Sequence, residues 1–215
     1  MSTLVTLIDP QSPAAEAYQS LRTNIEFASL EHPLHTLLIA GIDQQTDKSL
    51  ALANLAVVMA QAGDRVLVVD GDLRRPMQHE IFGVSNQTGL TTWLLNGGEP
   101  VVQKTQIERL QILPAGPATN SPAALLSQKR VENALATLRG MADYVLCDAP
   151  PVLAVTDAAL WASKVDGVVL LLNAGGTKRD HALRAQSLLE KVQARIIGAV
   201  LLNVDKEVAM TGYRG

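Results

Sequence analysis

The chain has little of several things that often decide a function. Of its 215 residues only one is cysteine, Cys147, so no disulfide can close within it and a reducing compartment is expected. Cys147 lies in an apolar run and reads as a small core residue rather than a nucleophile. Aromatic residues make up 3%, so Leu, Val, Ile and Ala must build the core. Positive charge is not in excess: the net charge is −3 and the pI about 5.8, which argues against a nucleic-acid partner. No run approaches the ~18 apolar residues of a membrane span. The start, MSTLVTLIDP, has neither the basic residues nor the apolar stretch of a signal peptide. A cytoplasmic chain without direct membrane insertion is expected; it would reach the inner face of a membrane only through a partner. His32, His35, His79 and His181 lack metal-ligand spacing and read as surface or loop residues.

What is present is an alternation. The apolar fraction, 47%, and the length suit one domain over residues 1–215. Short apolar runs read as buried strands at Thr36–Ala40, Arg65–Val69, Leu110–Leu113, Tyr144–Cys147, Gly167–Leu172 and Arg195–Asn203. Helical patterns cover Ala14–Phe27, Ser49–Ala62, Ser127–Arg139 and Arg179–Val192. Residues 1–12 read as an extended lead-in, and 206–215 as a mobile tail. Met77–Gln106 and Gly116–Leu126 read as loops with short helices. Strand–helix alternation of this kind predicts an α/β fold, with a mostly parallel central sheet and helices on both faces. Ligands of such sheets bind beyond the carboxyl ends of the strands.

The suggestive residues cluster at those ends. VLVVDGDLRRP delivers Asp70 and Asp72 at the end of a strand, where carboxylates can hold Mg²⁺ or take a proton from a hydroxyl. A polar turn with solvated charges is the bland alternative. YVLCDAPP ends another strand on Asp148, which reads either as part of a Mg²⁺ shell or as a turn or cap aspartate. In TLLIAGIDQQTDKSLALANLA, Lys48 and Ser49 stand where a phosphate loop GxxxxGK[ST] needs them, at the start of a helix. The glycines do not fit. Ile42 stands at the first glycine position, with Gly41 one place earlier, and Asp47 precedes the lysine.

SPAAEAYQSLRTNIEF, VVDGDLRRP, LPAGPATNSPAALL, YVLCDAPPVLAVTDA and VLLNVD occur in this order. In that order they resemble the bacterial tyrosine kinases, the cytoplasmic kinase domains or subunits of capsule and exopolysaccharide machinery. The resemblance runs from about Ser12 to Asp205, and the helix ahead of the first strand makes it more specific than a phosphate loop alone. It implies a P-loop NTPase-like fold with ATP and Mg²⁺ as cofactors. Lys48 would contact the β- and γ-phosphates and Ser49 would coordinate Mg²⁺. Asp70 and Asp72 would lie near the ion, one of them as base for a tyrosine hydroxyl. Asp148 would complete the metal shell, and Asn203 would meet the adenine. The resemblance also implies a homo-oligomeric ring built through the first helix, a C-terminal tyrosine cluster as acceptor on a neighbouring subunit, and a transmembrane chain-length protein as partner.

Three departures bear on these expectations. At Asp47, glycine would allow positive φ, which Asp tolerates at ~1–2 kcal/mol. A carboxylate about 4 Å from a phosphate charge repels it by roughly 4 kcal/mol at an effective dielectric of about 20, so nucleotide binding should be impaired. Asp47 is expected to pair with Lys48 or a nearby arginine in the empty site. In the ring helix Glu16 and Arg22 match, but Gln19 replaces the first arginine, and an amide cannot reproduce a bidentate guanidinium. The tail has a single tyrosine, Tyr213, as candidate phosphosite. The alternatives are a working autokinase, a catalytically weak scaffold or regulator of the same machinery, and an ATPase switch of the division- or partition-positioning kind.

Overall fold

The computed structural model describes residues 4–204. Its elements in chain order are α1 (Val5–Ile8), α2 (Pro13–Glu31), β1 (Thr36–Gly41), α3 (Lys48–Gln61), β2 (Val66–Asp70), α4 (Gln78–Phe82), α5 (Leu90–Asn96) and β3 (Gln103–Lys104). There follow β4 (Leu110–Leu113), α6 (Pro122–Leu125), α7 (Gln128–Leu138), β5 (Tyr144–Asp148), α8 (Asp157–Ala162), β6 (Gly167–Asn173), α9 (Arg179–Lys191) and β7 (Ile196–Leu202). They form one 7-stranded sheet in the order β3-β4-β2-β5-β1-β6-β7. Strands β4 to β7 and those between them pair in parallel; only the short β3 runs antiparallel, against β4.

The strand sequences explain the layering. In β1, Leu37 and Ile39 point to one face and Leu38 and Ala40 to the other, following the pleat, and all are buried. The first pair joins α2, α3 and α4 in one core through Ile25, Leu52, Leu55, Met59 and Phe82. The second joins α7, α8 and α9 in the other through Val131, Leu135, Trp161 and Leu189. Both faces being covered, the strands can be apolar throughout. Cys147 is fully buried between them, and burial pushes its thiol pKa well up, as fits a core residue.

Helix α3 is apolar on nearly every side because the sheet lies beneath it and α2 above it. Beyond its first turn its buried polar residue is Asn54. The Asn54 Oδ1 accepts the backbone N–H of Thr6 at 3.1 Å and the Thr6 hydroxyl at 2.9 Å, while its Nδ2 donates to the Leu50 carbonyl at 2.9 Å. The expected extended lead-in is corrected here: the segment turns into α1, which Asn54 anchors to α3. Helix α2 is longer than expected, capped by the Ser12 hydroxyl on Ala15 N–H. Helix α8 and strand β3 carried no periodic signal long enough to read. The tail residues 206–215 lie outside the described residues.

Candidate nucleotide and metal site

Strand order brings the chemistry together. β5 lies between β2 and β1, so Asp148 at its end stands beside Asp70 on one side and Ile39 on the other. The loop after β1 returns into α3 directly above it. Lys48, the first residue of α3, is buried and reaches down between two acids. Its Nζ is 2.8 Å from Asp148 Oδ1 and 2.9 Å from Asp72 Oδ2, and 3.3 Å from the Ser49 hydroxyl. Burial works against the ammonium charge, but Asp148 and Asp72 outweigh it, so the Lys48 pKa is raised. The lysine is a cation throughout the physiological range.

Asp72 Oδ1 accepts the backbone N–H groups of Arg74 and Arg75 at 3.3 and 3.0 Å, which leaves Oδ2 for the lysine. Asp70 is held differently. It is fully buried, its Oδ2 accepting N–H groups from Met77 and Gln78 at 3.0 and 2.9 Å, while Oδ1 meets no donor among the described residues. Burial first, and then the neighbouring Asp148 charge, raise its pKa far above the usual carboxylate range. Asp72, not Asp70, lines the adjoining cavity of about 330 Å³. Asp47, Lys48, Ser49 and Arg75 also line it, against an apolar wall that includes Leu50, Met77 and Ile81.

The phosphate loop departs from the expectations at two points. Ile42 does not crowd it: the side chain is buried in the core, and its backbone continues β1, donating to the Leu171 carbonyl and accepting from Leu153. Asp47 has φ −79°, so no left-handed strain arises at the position of the missing glycine. Nor does it pair with Lys48, which Asp72 and Asp148 have taken; its side chain is exposed, beside Tyr18. Burial and then the Asp47 charge push the Tyr18 phenol up to about 12. The loop is closed on itself. Asp43 accepts the Gln45 N–H and the Thr46 hydroxyl, each at 3.1 Å, and the Lys48 N–H goes to the Thr46 carbonyl at 2.9 Å. Gly41 packs under this loop, where a Cβ would meet Thr46 Cβ at 3.1 Å.

Other candidates lie apart. Asn203 follows β7, two strands from β1, with φ 57° and its amide donating to Asn173 at 2.7 Å; it does not line the cavity. On α2, Glu16 and Gln19 are exposed. Arg22 instead pairs with Glu26 one turn on and faces Asp64. Tyr213 lies outside the described residues.

An AAA-domain family model matches residues 39–193. Tyrosine-protein kinase YwqD of Bacillus subtilis is 36% identical over 92% of this chain and 84% of its own length. The putative tyrosine-protein kinase CapB of Staphylococcus aureus is 33% identical over 96% of the chain and 92% of its own. The kinase domain of Escherichia coli tyrosine kinase ETK superposes with a TM-score of 0.88 at 30% identity, covering 95% of this chain and 82% of that one. The chain belongs to the bacterial tyrosine-kinase family.

The donor set of this family member fits Mg²⁺. Among the described residues no three acidic, His or Cys side chains gather closely enough to hold a metal alone. Mg²⁺ asks for less, one or two hard oxygen ligands with water and phosphate oxygens supplying the rest. Here the Ser49 hydroxyl, Asp72 and Asp148 surround the same ammonium group, and the orphaned Asp70 Oδ1 lies behind them. Two residues escaped the sequence reading. Asp157, fully buried, ion-pairs with Arg74 at 2.9 Å, and Gln78 lies beneath the acids. The YVLCDAPPVLAVTDA run contains Asp157 without singling it out, and Gln78 follows the DGDLRRP run by two residues.

Proposed function

We propose that this chain binds a magnesium–nucleotide at the Lys48 cavity and transfers the γ-phosphoryl group of ATP to a tyrosine. The observation that supports this most is Lys48 held between Asp72 and Asp148 at the carboxyl edge of the sheet. Turning Lys48 towards a phosphate would release Asp72 Oδ2, an oxygen of a carboxylate that lines the cavity. The tyrosine Oη then attacks the γ-phosphorus, the bond to the ADP oxygen breaks, and the phenolic proton passes to Asp72. Mg²⁺, when bound, supplies charge neutralisation at the phosphates. The acceptor proposed is Tyr213 of a neighbouring copy, and the setting is capsule or exopolysaccharide assembly beside a transmembrane chain-length partner. No helix among the described residues is long and apolar enough to cross a membrane, so attachment through that partner is part of the proposal.

A second reading is a weakly active scaffold of the same machinery. The exposed Asp47 carboxylate on the cavity and the self-bonded loop favour it. Calorimetric titration of ADP with Mg²⁺ decides between them. Micromolar binding, followed by phosphate on Tyr213 that disappears in Tyr213→Phe, supports the kinase. Absence of binding at millimolar nucleotide leaves the scaffold.

A further inference from the structure

Gln78 is the first residue of α4 and is fully buried. Its side-chain Nε2 lies 2.8 Å from Asp148 Oδ2 and 3.0 Å from the Ser49 carbonyl. Both neighbours are acceptors, so the amide nitrogen must sit between them and the orientation of the group is fixed. Its backbone N–H holds Asp70 Oδ2 at 2.9 Å. One residue thus ties the end of β2, the end of β5 and the first turn of α3. Its Oε1, like Asp70 Oδ1, is buried without a donor among the described residues. A buried acceptor left in that state calls for water, which the shell of a hydrated cation provides.

The consequence falls on Asp148. With Oδ2 bonded to the amide, the carboxylate is held so that Oδ1 is the oxygen that faces Lys48. Without the amide, the carboxylate could turn and grip the ammonium group with both oxygens. We propose that Gln78 is a positioning residue of the phosphotransfer site. It fixes which oxygen Asp148 presents to the lysine and to a magnesium ion, and it sets the first turn of α3 relative to that oxygen. This rests on the nucleotide-binding reading above. Groups that orient a metal's ligands typically change its affinity by ~10–100-fold when removed.

The test is the Mg²⁺ dependence of ADP binding, followed by calorimetry for the wild type, Gln78→Met and Gln78→Leu. Met keeps the length of the side chain without its donor; Leu removes the donor with a shorter apolar side chain. Both variants are expected to need about tenfold more Mg²⁺ for half-maximal ADP affinity. ADP affinity extrapolated to zero Mg²⁺ should stay within about twofold of wild type, and kcat should fall more than the KM for ATP rises. A lower melting temperature with an unchanged Mg²⁺ dependence in either folded variant would mean a purely structural role and overturn the inference. If Gln78→Met does not fold, Gln78→Leu alone decides. Wild-type protein that binds no Mg·ADP overturns the nucleotide reading as well, whereas normal wild-type binding with unaffected variants overturns only the role of Gln78.

Discussion

A methyl group on Gly71 would lie 2.6 Å from the Asp148 carbonyl and 2.9 Å from the Trp161 ring, and neither neighbour is a flexible chain end. Gly71→Ala is therefore expected to destabilise the protein by about 1–3 kcal/mol, as overpacking does, and to disturb Asp70 and Asp72 on either side. Thermal melting checks the first effect; adding Trp161→Phe should recover part of it. At Asp47 the magnitude expected from sequence changes. Its exposed side chain can turn into water, where the repulsion at about 4 Å is nearer 1 kcal/mol. Asp47→Gly should then raise ATP affinity only about five- to tenfold, measured by calorimetry. Lys48, Ser49, Asp72 and Asp148 were legible in the sequence because each ends or closely follows a strand or opens a helix. Gln78 was not, because an amide gains its meaning only from the three elements that converge on it. Asn203 follows β7 on the same carboxyl edge, two strands from β1, a separation that an apolar run alone does not reveal.

Among the elements, Asp166 ties the start of β1 at the end of the sheet opposite the cavity. Asp166 Oδ2 accepts the N–H groups of His35 and Thr36 and the Thr36 hydroxyl, and its Oδ1 meets Arg139 at 2.6 Å. Burial would raise its pKa, but the bonds from Thr36 and Arg139 outweigh that and lower it. The lowered folded pKa gives stability that is present above the unfolded value and is lost as pH falls through the folded one. Asp166→Asn should therefore cost about 1–3 kcal/mol at neutral pH, and the gap to wild type should narrow as pH drops below about 4. Denaturant titrations at pH 7 and pH 3 test this. Asn54 makes a second such tie. Asn54→Ala should free α1, seen as faster hydrogen exchange over residues 4–9 with little change in the sheet. The strands were legible because both faces are apolar. Helix α1 was not, since four residues carry no period and its anchor lies in α3.

For the whole molecule, nucleotide binding should appear as stability. A ligand at ~100 times its dissociation constant adds about 2.7 kcal/mol, which for a domain of this size raises the melting temperature by roughly 5–10 °C. Mg·ADP should produce that shift, and Lys48→Met should abolish it; an unchanged wild-type melting curve at millimolar Mg·ADP would favour the scaffold. The alternation of strands and helices was enough to place this sheet and to locate the chemistry at its carboxyl edge. Strand order was not readable, because parallel pairing leaves no local mark. The central place of β5, which sets Asp148 between the two loops, emerges only in the folded sheet.

Lys48 is already matched by Asp72 and Asp148, Arg74 by Asp157, and Asp47 adds a further negative charge on the same cavity, with Arg75 opposing it. A free polyphosphate approaching this edge therefore meets no surplus of positive charge to draw it in. Arrival is then a question of order: the cation and the nucleotide come as one complex, carrying less charge than the nucleotide alone. The association rate should rise with divalent concentration at constant ionic strength and respond only weakly to monovalent salt.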